Sequence, residues 1–439
     1  MVTQTIVPAA QPLQQHAAAA ASSDYRRRAL ASGLLLVAVL WLLGPITAHA
    51  AECNRAMANP LVHVTLPGSP FTALPSADGC WLFVSLTQPR PEVAVIARSN
   101  GGLSLKRVVS LPGWPMGMVL THDGKLLIVA DGPNVVFLDV ARLTTGNSNP
   151  VLAYSDIPGV RPGSIYVSVT ADDRYVFVSN EAIGTISVID LAQTRRSRFA
   201  QVRVVGSIGA GVGPLGIAFS SDERFLFATV LTVNDRGWSN RCSPENDPTA
   251  AANHPEGAIV VVDMKLATSN PRASVLRRVP AGCSPTRIVA SRETGRVYVT
   301  SRGSNELLTF TERELSGSAL GLRCKRLAVG PSPVGVALVD SGREVVVAGS
   351  DRFNVGATAA ALYVIDTAGI DSNGAPLLAS IPSQGFPREI RATADGRTLL
   401  VTDFNGGSLQ IVDLERTLWP LGRGLHRSHL LARIAARPS

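Results

Sequence analysis

Short apolar runs recur along the chain, and each is followed by a polar loop and a second apolar run. One copy reads RVYVTSRGSNELLTF, residues 296–310, and another reads YVFVSNEAIGTISVIDL, residues 175–191. The first runs of the copies begin at Trp81, Leu126, Tyr175, Phe225, Arg296, Glu344 and Thr398. Apolar runs of this length, bounded by turn residues, predict β-strands, so each copy predicts two strands joined by a loop.

Each copy extends upstream to a marker position, which is a proline in six copies and a serine in the third. These positions are Pro70, Pro115, Ser164, Pro214, Pro285, Pro333 and Pro387. They are separated by 45, 49, 50, 71, 48 and 54 residues. One aliphatic stretch follows each marker and another precedes it, so a unit contains four predicted strands, named A to D in chain order. Four short strands in a unit of this length predict a β-propeller blade.

The two ends of the repeat region complement each other. The last copy stops at strand C, near Glu415, and an unpaired strand D, PLVHVTLPGSP, stands at the front as residues 60–70. Pairing between them would close the ring and remove the exposed sheet edges of an open array. We therefore predict an all-β, seven-bladed β-propeller with four antiparallel strands per blade. It is a single domain over residues 59–415, and the N-terminal strand completes its last blade.

The recurring VYVTS and VFVSN strands, together with Pro-x-Gly-(Val/Ile) and Asp-Gly-Arg elements, resemble the YVTN repeat of bacterial and archaeal seven-bladed β-propellers. The resemblance covers nearly the whole chain after residue 50. It implies the same fold and a place near the lactonase-like propellers, which use acidic and basic residues at the channel mouth. WD40 and Kelch propellers are disfavoured, because the blades lack a Trp-Asp ending on strand C and a recurring Gly-Gly pair.

The first 50 residues have the layout of a secretory signal rather than of a folded domain. Three arginines, residues 26–28, precede an apolar, uncharged run over residues 29–47, and Ala48-His49-Ala50 follows. This order of basic, apolar and small residues predicts a signal peptide, residues 1–50, cleaved near Ala50, and a periplasmic or secreted protein. An uncleaved anchor is the alternative, and the choice between Sec and twin-arginine export stays open. Residues 51–58 form a short N-terminal segment.

The formal net charge of +8 is concentrated outside the predicted propeller. Without residues 1–50, the chain has 38 basic and 32 acidic residues. Five arginines fall in the C-terminal tail, residues 416–439: Arg416, Arg423, Arg427, Arg433 and Arg437. The body is therefore nearly neutral, which excludes the basic face of a nucleic-acid-binding domain. The tail is either solvated or in contact with an anionic surface. We expect a monomer with no stable membrane span after signal cleavage.

Five cysteines follow the predicted signal, and an exported chain can form disulfides. Cys242 lies in an insertion of blade 4, and Cys283 lies in the neighbouring D–A loop, so we predict that they form a disulfide. Cys53 and Cys80 form a second candidate pair, which leaves Cys324 free. No Cys-x-x-Cys motif occurs, so a thioredoxin-like site and c-type haem attachment both lack their motif.

Candidate functional residues gather on the face of the propeller where the B–C and D–A loops open. The second residue after each marker should lie at the channel mouth, and these residues are Thr72, Gly117, Tyr166, Gly216, Arg287, Gly335 and Glu389. In one interpretation, Tyr166, Arg287 and Glu389 form a polar pocket, with Glu389 as acid, base or metal ligand and Arg287 as an anion-binding residue. In the other, an Arg287–Glu389 pair fills the channel.

The B–C loops add further polar candidates on the same face. They are Asp131, Asn180, Glu181, Ser301, Arg302, Asp351, Arg352 and Asp403. The long insertion of blade 4, residues 231–256, adds Trp238, Arg241 and His254. Together these side chains could bind a calcium ion or a carboxylate-bearing ligand, although no dense run of aspartates forms a dedicated calcium loop. We predict no organic cofactor and no other metal.

The sequence supports two candidate functions. The first is a binding or scaffold protein that recognises a protein, a glycan or a small ligand on its loop face. The alternative is a lactonase-like hydrolase or isomerase, with Glu389 and Arg287 as its candidate catalytic residues. No Gly-x-Ser-x-Gly elbow, P-loop or dinucleotide-binding fingerprint is present to favour another enzyme class. The fold by itself does not decide between binding and catalysis.

Overall fold

Seven four-stranded antiparallel sheets form a closed ring, which confirms the predicted seven-bladed β-propeller. The computed structural model describes residues 53, 57, 59–99, 101–233, 241–242, 254–317, 323–350, 352, 360–372 and 375–418. In each blade the strands pair in the order A, B, C, D. Successive A strands contact one another all the way around the ring, so they line its central channel.

In blades 1 to 4, strands A, B, C and D follow one another along the chain. Blade 1 contains Pro70–Pro75, Trp81–Leu86, Glu92–Ser99 and Gly102–Ser110. Blade 2 contains Met118–Leu120, Leu126–Asp131, Asn134–Asp139 and Val151–Asp156. Blade 3 contains Ser164–Val169, Tyr175–Asn180, Thr185–Asp190 and Arg203–Gly209. Blade 4 contains Val212–Phe219, Phe225–Thr232, Ala258–Asp263 and Val275–Pro280.

The remaining blades follow the same scheme. Blade 5 contains Pro285–Ala290, Arg296–Ser301, Glu306–Thr311 and Lys325–Ala328. Blade 6 contains Pro333–Val339, Glu344–Gly349, Ala361–Asp366 and Leu377–Pro382. Blade 7 contains Pro387–Ala392, Thr398–Asp403, Ser408–Asp413 and, as strand D, Leu61–Thr65. The insertion of blade 4 adds a two-stranded ribbon made of Arg241–Cys242 and His254–Pro255.

The N-terminal strand closes the ring as predicted. Leu61–Thr65 pairs antiparallel with strand C of blade 7, with Leu61 opposite Val412 and Thr65 opposite Ser408. This pairing covers the edge that strand C of blade 7 would otherwise expose. The Cys53–Cys80 disulfide then joins the segment before the closing strand to blade 1, so the covalent link crosses the seam between the last and first blades.

Hydroxyl groups near the end of strand B connect neighbouring blades and explain why Thr or Ser recurs there. The Arg287 N–H donates to Thr300 Oγ1 at 3.1 Å, and Thr300 Oγ1 donates to the Val334 carbonyl of the next blade at 2.8 Å. Strand A is bulged between Pro285 and Arg287, and a bulge leaves such an N–H without its ladder partner. The same arrangement of donor and acceptor is found at Ser85, Thr229 and Thr402.

Short helices follow strand C in blades 2 to 7, and the sequence pattern did not predict them. They are Val140–Thr145, Leu191–Arg196, Met264–Ser269, Glu312–Ser316, Thr367–Asp371 and Leu414–Leu418. An aspartate that ends strand C commonly caps the helix; Asp139, for example, accepts the Arg142 N–H at 2.9 Å. The described chain also contains the 3-10 turns Glu181–Ile183, Pro271–Ala273, Arg302–Ser304 and Asp340–Gly342. None of the described helices is long and apolar enough to cross a membrane.

The hydrophobic core lies between neighbouring sheets rather than at one centre. Between blades 3 and 4, for instance, Phe177 and Val188 pack with Leu226 and Val260, all fully buried. Valine, isoleucine, leucine and alanine dominate these layers, as the aromatic content of 5% leads one to expect. The rigid ring that results fixes the loops of one face around the channel mouth.

Candidate ligand-binding site

Three of the predicted channel residues form one buried cluster. Arg287 Nε donates to Glu389 Oε2 at 2.7 Å, and the Tyr166 hydroxyl donates to the same oxygen at 3.2 Å. The Arg287 guanidinium also lies over the Tyr166 ring, 3.7 Å from its centroid. Glu389 is only 4% exposed. The structure therefore brings these three residues together, with Arg287 and Glu389 paired as in the second of the two interpretations.

Glu389 meets positive charge at both of its oxygens. Arg391 Nη2 lies 3.3 Å from Oε1, and Arg287 holds Oε2. Burial lowers the pKa of Arg287, whereas the ion pair with Glu389 acts in the opposite direction. Both carboxylate oxygens are thus engaged by side chains of the protein rather than turned towards a substrate.

The polar residues that end strand B hold the D–A loops. Asp403 Oδ1 accepts the Phe386 N–H at 2.8 Å and the Gly406 N–H at 3.1 Å. In blade 3, Asn180 Oδ1 accepts the Ser164 hydroxyl at 3.0 Å. Both side chains are almost fully buried. The structure gives these two candidates a contact that shapes the loop face, and their predicted role in ligand binding stays a prediction.

Asp131 occupies the same position in blade 2 but has fewer partners. Its Oδ2 accepts the Gly113 N–H at 2.8 Å, while Oδ1 is buried without a hydrogen-bond partner among the described residues. Burial raises the pKa of the Asp131 carboxyl to about 7. Residue 113 must be glycine, because an added Cβ would lie 1.9 Å from the Asp131 carbonyl oxygen.

The other candidates are distributed around the same face. Arg302 is buried, and the Arg352 guanidinium lies 5.9 Å from the centroid of the Phe386 ring. Glu181 borders a cavity on the loop face. His254 lies in the ribbon of blade 4, where its Nδ1 is 2.7 Å from the Pro255 carbonyl oxygen. Outside the described part of the chain lie Trp238, Asp351 and the side chain of Arg241.

Both predicted disulfides are present. Cys242–Cys283 joins the blade 4 ribbon to the loop that precedes blade 5, and Cys53–Cys80 is the bond at the seam. Cys324 is free and half-buried, and burial raises the pKa of its thiol to about 11. Within the residues that the structure describes, no group of three or more His, Cys, Asp or Glu side chains is placed to hold a metal ion.

A cavity of about 400 Å³ opens on the loop face beside the closed channel. It is bordered by Phe71, Thr87, Gln88, Trp114, Met116, Ile165, Glu181, Arg352, Phe386, Arg388, Phe404 and Asn405. These residues come from blades 1, 2, 3, 6 and 7, so closure of the ring is required to assemble the cavity. Ligand pockets in proteins commonly have volumes of about 300–1,000 Å³, so this cavity suits a small molecule.

Arg388 is the distinctive group of this cavity. Its guanidinium lies 4.0 Å from the centroid of the Phe71 ring, 5.4 Å from that of Phe404 and 5.5 Å from that of Phe386. No carboxylate of the described residues is within ion-pair distance of it, and its Nε is shielded from water without a hydrogen-bond partner. Burial, with the nearby Arg287 charge, lowers the pKa of Arg388 to about 9, so it remains a cation at neutral pH.

Arg388 was missed as a candidate because only the second residue after each marker was considered, and not the first. The first residues are Phe71, Met116, Ile165, Leu215, Thr286, Val334 and Arg388. Most of them are apolar, and only one is charged, so the departure at Arg388 was a visible signal. In the structure, four of the first residues border the cavity, namely Phe71, Met116, Ile165 and Arg388. Leu215 belongs to the same buried cluster as Phe71 and Ile165.

Comparison with solved structures finds other β-propellers at low sequence identity. Kuenenia stuttgartiensis hydrazine synthase matches with a TM-score of 0.60 and 16% identity, over 80% of this chain and 97% of that chain. A chain of the mitotic checkpoint complex matches with a TM-score of 0.58 and 14% identity, over 82% and 96%. The periplasmic gluconolactonase of Pseudomonas aeruginosa matches with a TM-score of 0.54 and 20% identity, over 73% and 86%. These likenesses show the fold alone.

No protein-family model matches the chain, and no curated protein matches it by sequence.

Proposed function

We propose that this protein is an exported, non-catalytic β-propeller that binds a small ligand in the cavity of its loop face. The observation that carries this proposal is the state of Glu389, the candidate catalytic acid. It is buried, and its two oxygens are bound by Arg287, Arg391 and Tyr166. The neighbouring cavity, by contrast, is open and holds the Arg388 cation, which has no ion-pair partner among the described carboxylates.

Among a protein, a glycan and a small molecule, the small molecule is favoured by the shape of the site. The cavity is concave, holds about 400 Å³ and is lined by aromatic and other apolar side chains on one hand and polar side chains on the other. This combination is typical of small-ligand sites. A protein partner would instead need a broad complementary surface, with at least about 1,000 Å² buried in total.

Export is part of the proposal. Two disulfides are consistent with a periplasmic or extracellular location. The predicted signal, residues 1–50, lies outside the described residues, and we propose that it directs export and is then removed. We further propose membership of the YVTN-type propellers, which rests on the repeated marker, strand B and strand C elements. We propose a monomer, since ring closure completes every blade and a propeller keeps only short, protected sheet edges.

The competing function is lactone hydrolysis, and it can be tested directly. The mature protein and its Glu389→Gln variant would be incubated with a panel of lactones and sugar acids, against a protein-free blank. We expect both proteins to match the blank, because both oxygens of the candidate acid are paired with arginines. In parallel, thermal shift with a panel of small molecules should identify at least one stabilising compound. Turnover by the wild type that is lost in Glu389→Gln would replace binding with catalysis as the function.

A further inference from the structure

We propose that the cavity at Arg388 is a binding site for a small organic carboxylate with an apolar body, and that the carboxylate pairs with the Arg388 guanidinium. This inference rests on the proposed binding function and specifies its ligand. It follows from the charge in the cavity, the donors of the guanidinium and the chemistry of the walls.

Arg388 forms no ion pair with a described carboxylate, although the charges of Glu181 and Glu389 act on it from farther away. Withdrawing a guanidinium from water into a site among aromatic rings raises the free energy of the folded protein, unless an anion or a set of acceptors compensates the charge. Arg287, the other channel arginine, has this compensation in Glu389. Arg388 is in contact with Phe71, Phe386 and Phe404 instead, and no described carboxylate lies within ion-pair distance. A ligand anion would supply the charge that the protein omits.

The donors of the guanidinium suit a carboxylate. The central carbon of the Arg388 guanidinium lies over the Phe71 ring, 4.0 Å from the ring centroid. The N–H donors of a guanidinium lie in its plane, where two of them match the two oxygens of a carboxylate. Nε is shielded from solvent, so the ligand would be held by the terminal Nη1 and Nη2 donors. The cavity therefore offers coplanar donors beside three aromatic rings.

The walls of the cavity favour an apolar body on the ligand. Phe71, Phe386 and Phe404 lie near the charge, and Trp114 stands at the rim with 59% of its surface exposed. Burying apolar surface against such walls stabilises a complex by about 25 cal/mol for each Å². The hydroxyl groups of a sugar acid would lose hydrogen bonds to water against these walls, whereas the apolar body of an aryl or alkyl acid has none to lose.

The charges on the wall favour a ligand with a single negative charge. Glu181 also borders the cavity, so the wall carries an acid as well as Arg388 and Arg352. A second anionic group on the ligand would be repelled by Glu181 if it were placed on that side. A monocarboxylate directed at Arg388 avoids this repulsion.

The test compares an acid with its uncharged counterpart. The full mature protein would be titrated calorimetrically with 3-phenylpropionate, 3-phenylpropionamide and gluconate. We expect saturable binding of 3-phenylpropionate, at least tenfold tighter than that of the amide or of gluconate. Because this comparison uses the wild type alone, it does not depend on the folding of any variant. Equal affinity for the acid and the amide would overturn the inference.

Substitution of Arg388 then tests whether the acid binds in this cavity. Arg388→Met keeps an extended apolar side chain without the charge, and Arg388→Lys keeps the charge without the planar donor set. We expect Arg388→Met to lose at least tenfold in affinity for the acid and Arg388→Lys to lose less. The matched control is Arg224→Met, at an exposed arginine of the A–B turn on the opposite face. If both methionine variants bind the acid as the wild type does, the site is elsewhere.

The outcomes separate this inference from the proposed function. If 3-phenylpropionate does not bind but another compound stabilises the protein in the thermal-shift panel, the carboxylate inference fails and binding stands. Hydrolysis of a lactone that depends on Glu389 would instead contradict the proposed function itself.

Discussion

Asp131→Asn is expected to stabilise the protein, and to do so more at pH 8 than at pH 5. Asp131 is fully buried, and its only described side-chain partner is the Gly113 N–H. Burial raises its pKa to about 7, so above that pH the folded protein must hold a poorly solvated carboxylate. An amide avoids this charge and can still accept the Gly113 N–H. Asn180 shows that an amide fits the equivalent position of blade 3.

The size and sign of the effect follow from linkage between protonation and folding. In the unfolded chain an aspartate titrates with a pKa of about 3.9. Between about pH 4 and pH 7 the folded wild type therefore binds more protons than the unfolded chain, and its stability falls as the pH rises. At about 1.36 kcal/mol for each pH unit, the full loss is on the order of 4 kcal/mol, complete near pH 7. The amide of the Asp131→Asn variant does not titrate, so the advantage of the variant should grow over the same window.

The assay is urea-induced unfolding of both proteins at pH 5 and pH 8, with the disulfides intact. Asp403→Asn serves as the control, since Asp403 accepts Phe386 N–H, Gly406 N–H and the Ser408 hydroxyl. Loss of an acceptor there should destabilise by about 1 kcal/mol. An equal gain for Asp131→Asn at both pH values would refute the reasoning, because the gain would then not come from removing a titrating charge.

Two further predictions concern the channel and the seam. Glu389→Leu should destabilise the protein by about 3–5 kcal/mol, because it leaves Arg287 as an uncompensated buried cation. In chemical denaturation, the double variant with Arg287→Met should recover most of this loss, and additive losses would contradict the pairing. Replacing both Cys53 and Cys80 with Ser should cost about 2–4 kcal/mol and speed amide hydrogen exchange in Leu61–Thr65 first. Unchanged exchange there, with faster exchange elsewhere, would show that the disulfide does not secure the closing strand.

The fold was largely predictable, because the residues that repeat in sequence are those that build each blade. Thr300 and its equivalents link neighbouring A strands, and aspartates at the end of strand C cap helices. These local roles recur from blade to blade with small variations, so the pattern is visible without coordinates. The helices themselves were missed because they span only five or six residues and carry no helical periodicity of their own.

The site was only partly predictable, because it depends on contacts between distant parts of the chain. The pairing of Arg287 with Glu389 was one of two interpretations, and the residues alone could not select it. Arg388 is the one charged first residue in the sequence, but its contact with Phe71, from the other end of the propeller, is visible only in the structure. Asp131 and Asp403 are polar residues next to loops and suggest a surface, yet both turn inward to hold a D–A loop.

The most direct test of binding without catalysis uses a γ-lactone bearing a phenyl group and the hydroxy acid formed when its ring opens. Ligand-detected NMR of a single sample reports both contact with the protein and chemical conversion. We predict saturation transfer to the hydroxy acid, its loss in Arg388→Met, and lactone opening no faster than in protein-free buffer. Opening accelerated by the wild type and abolished by Glu389→Gln would contradict binding without catalysis.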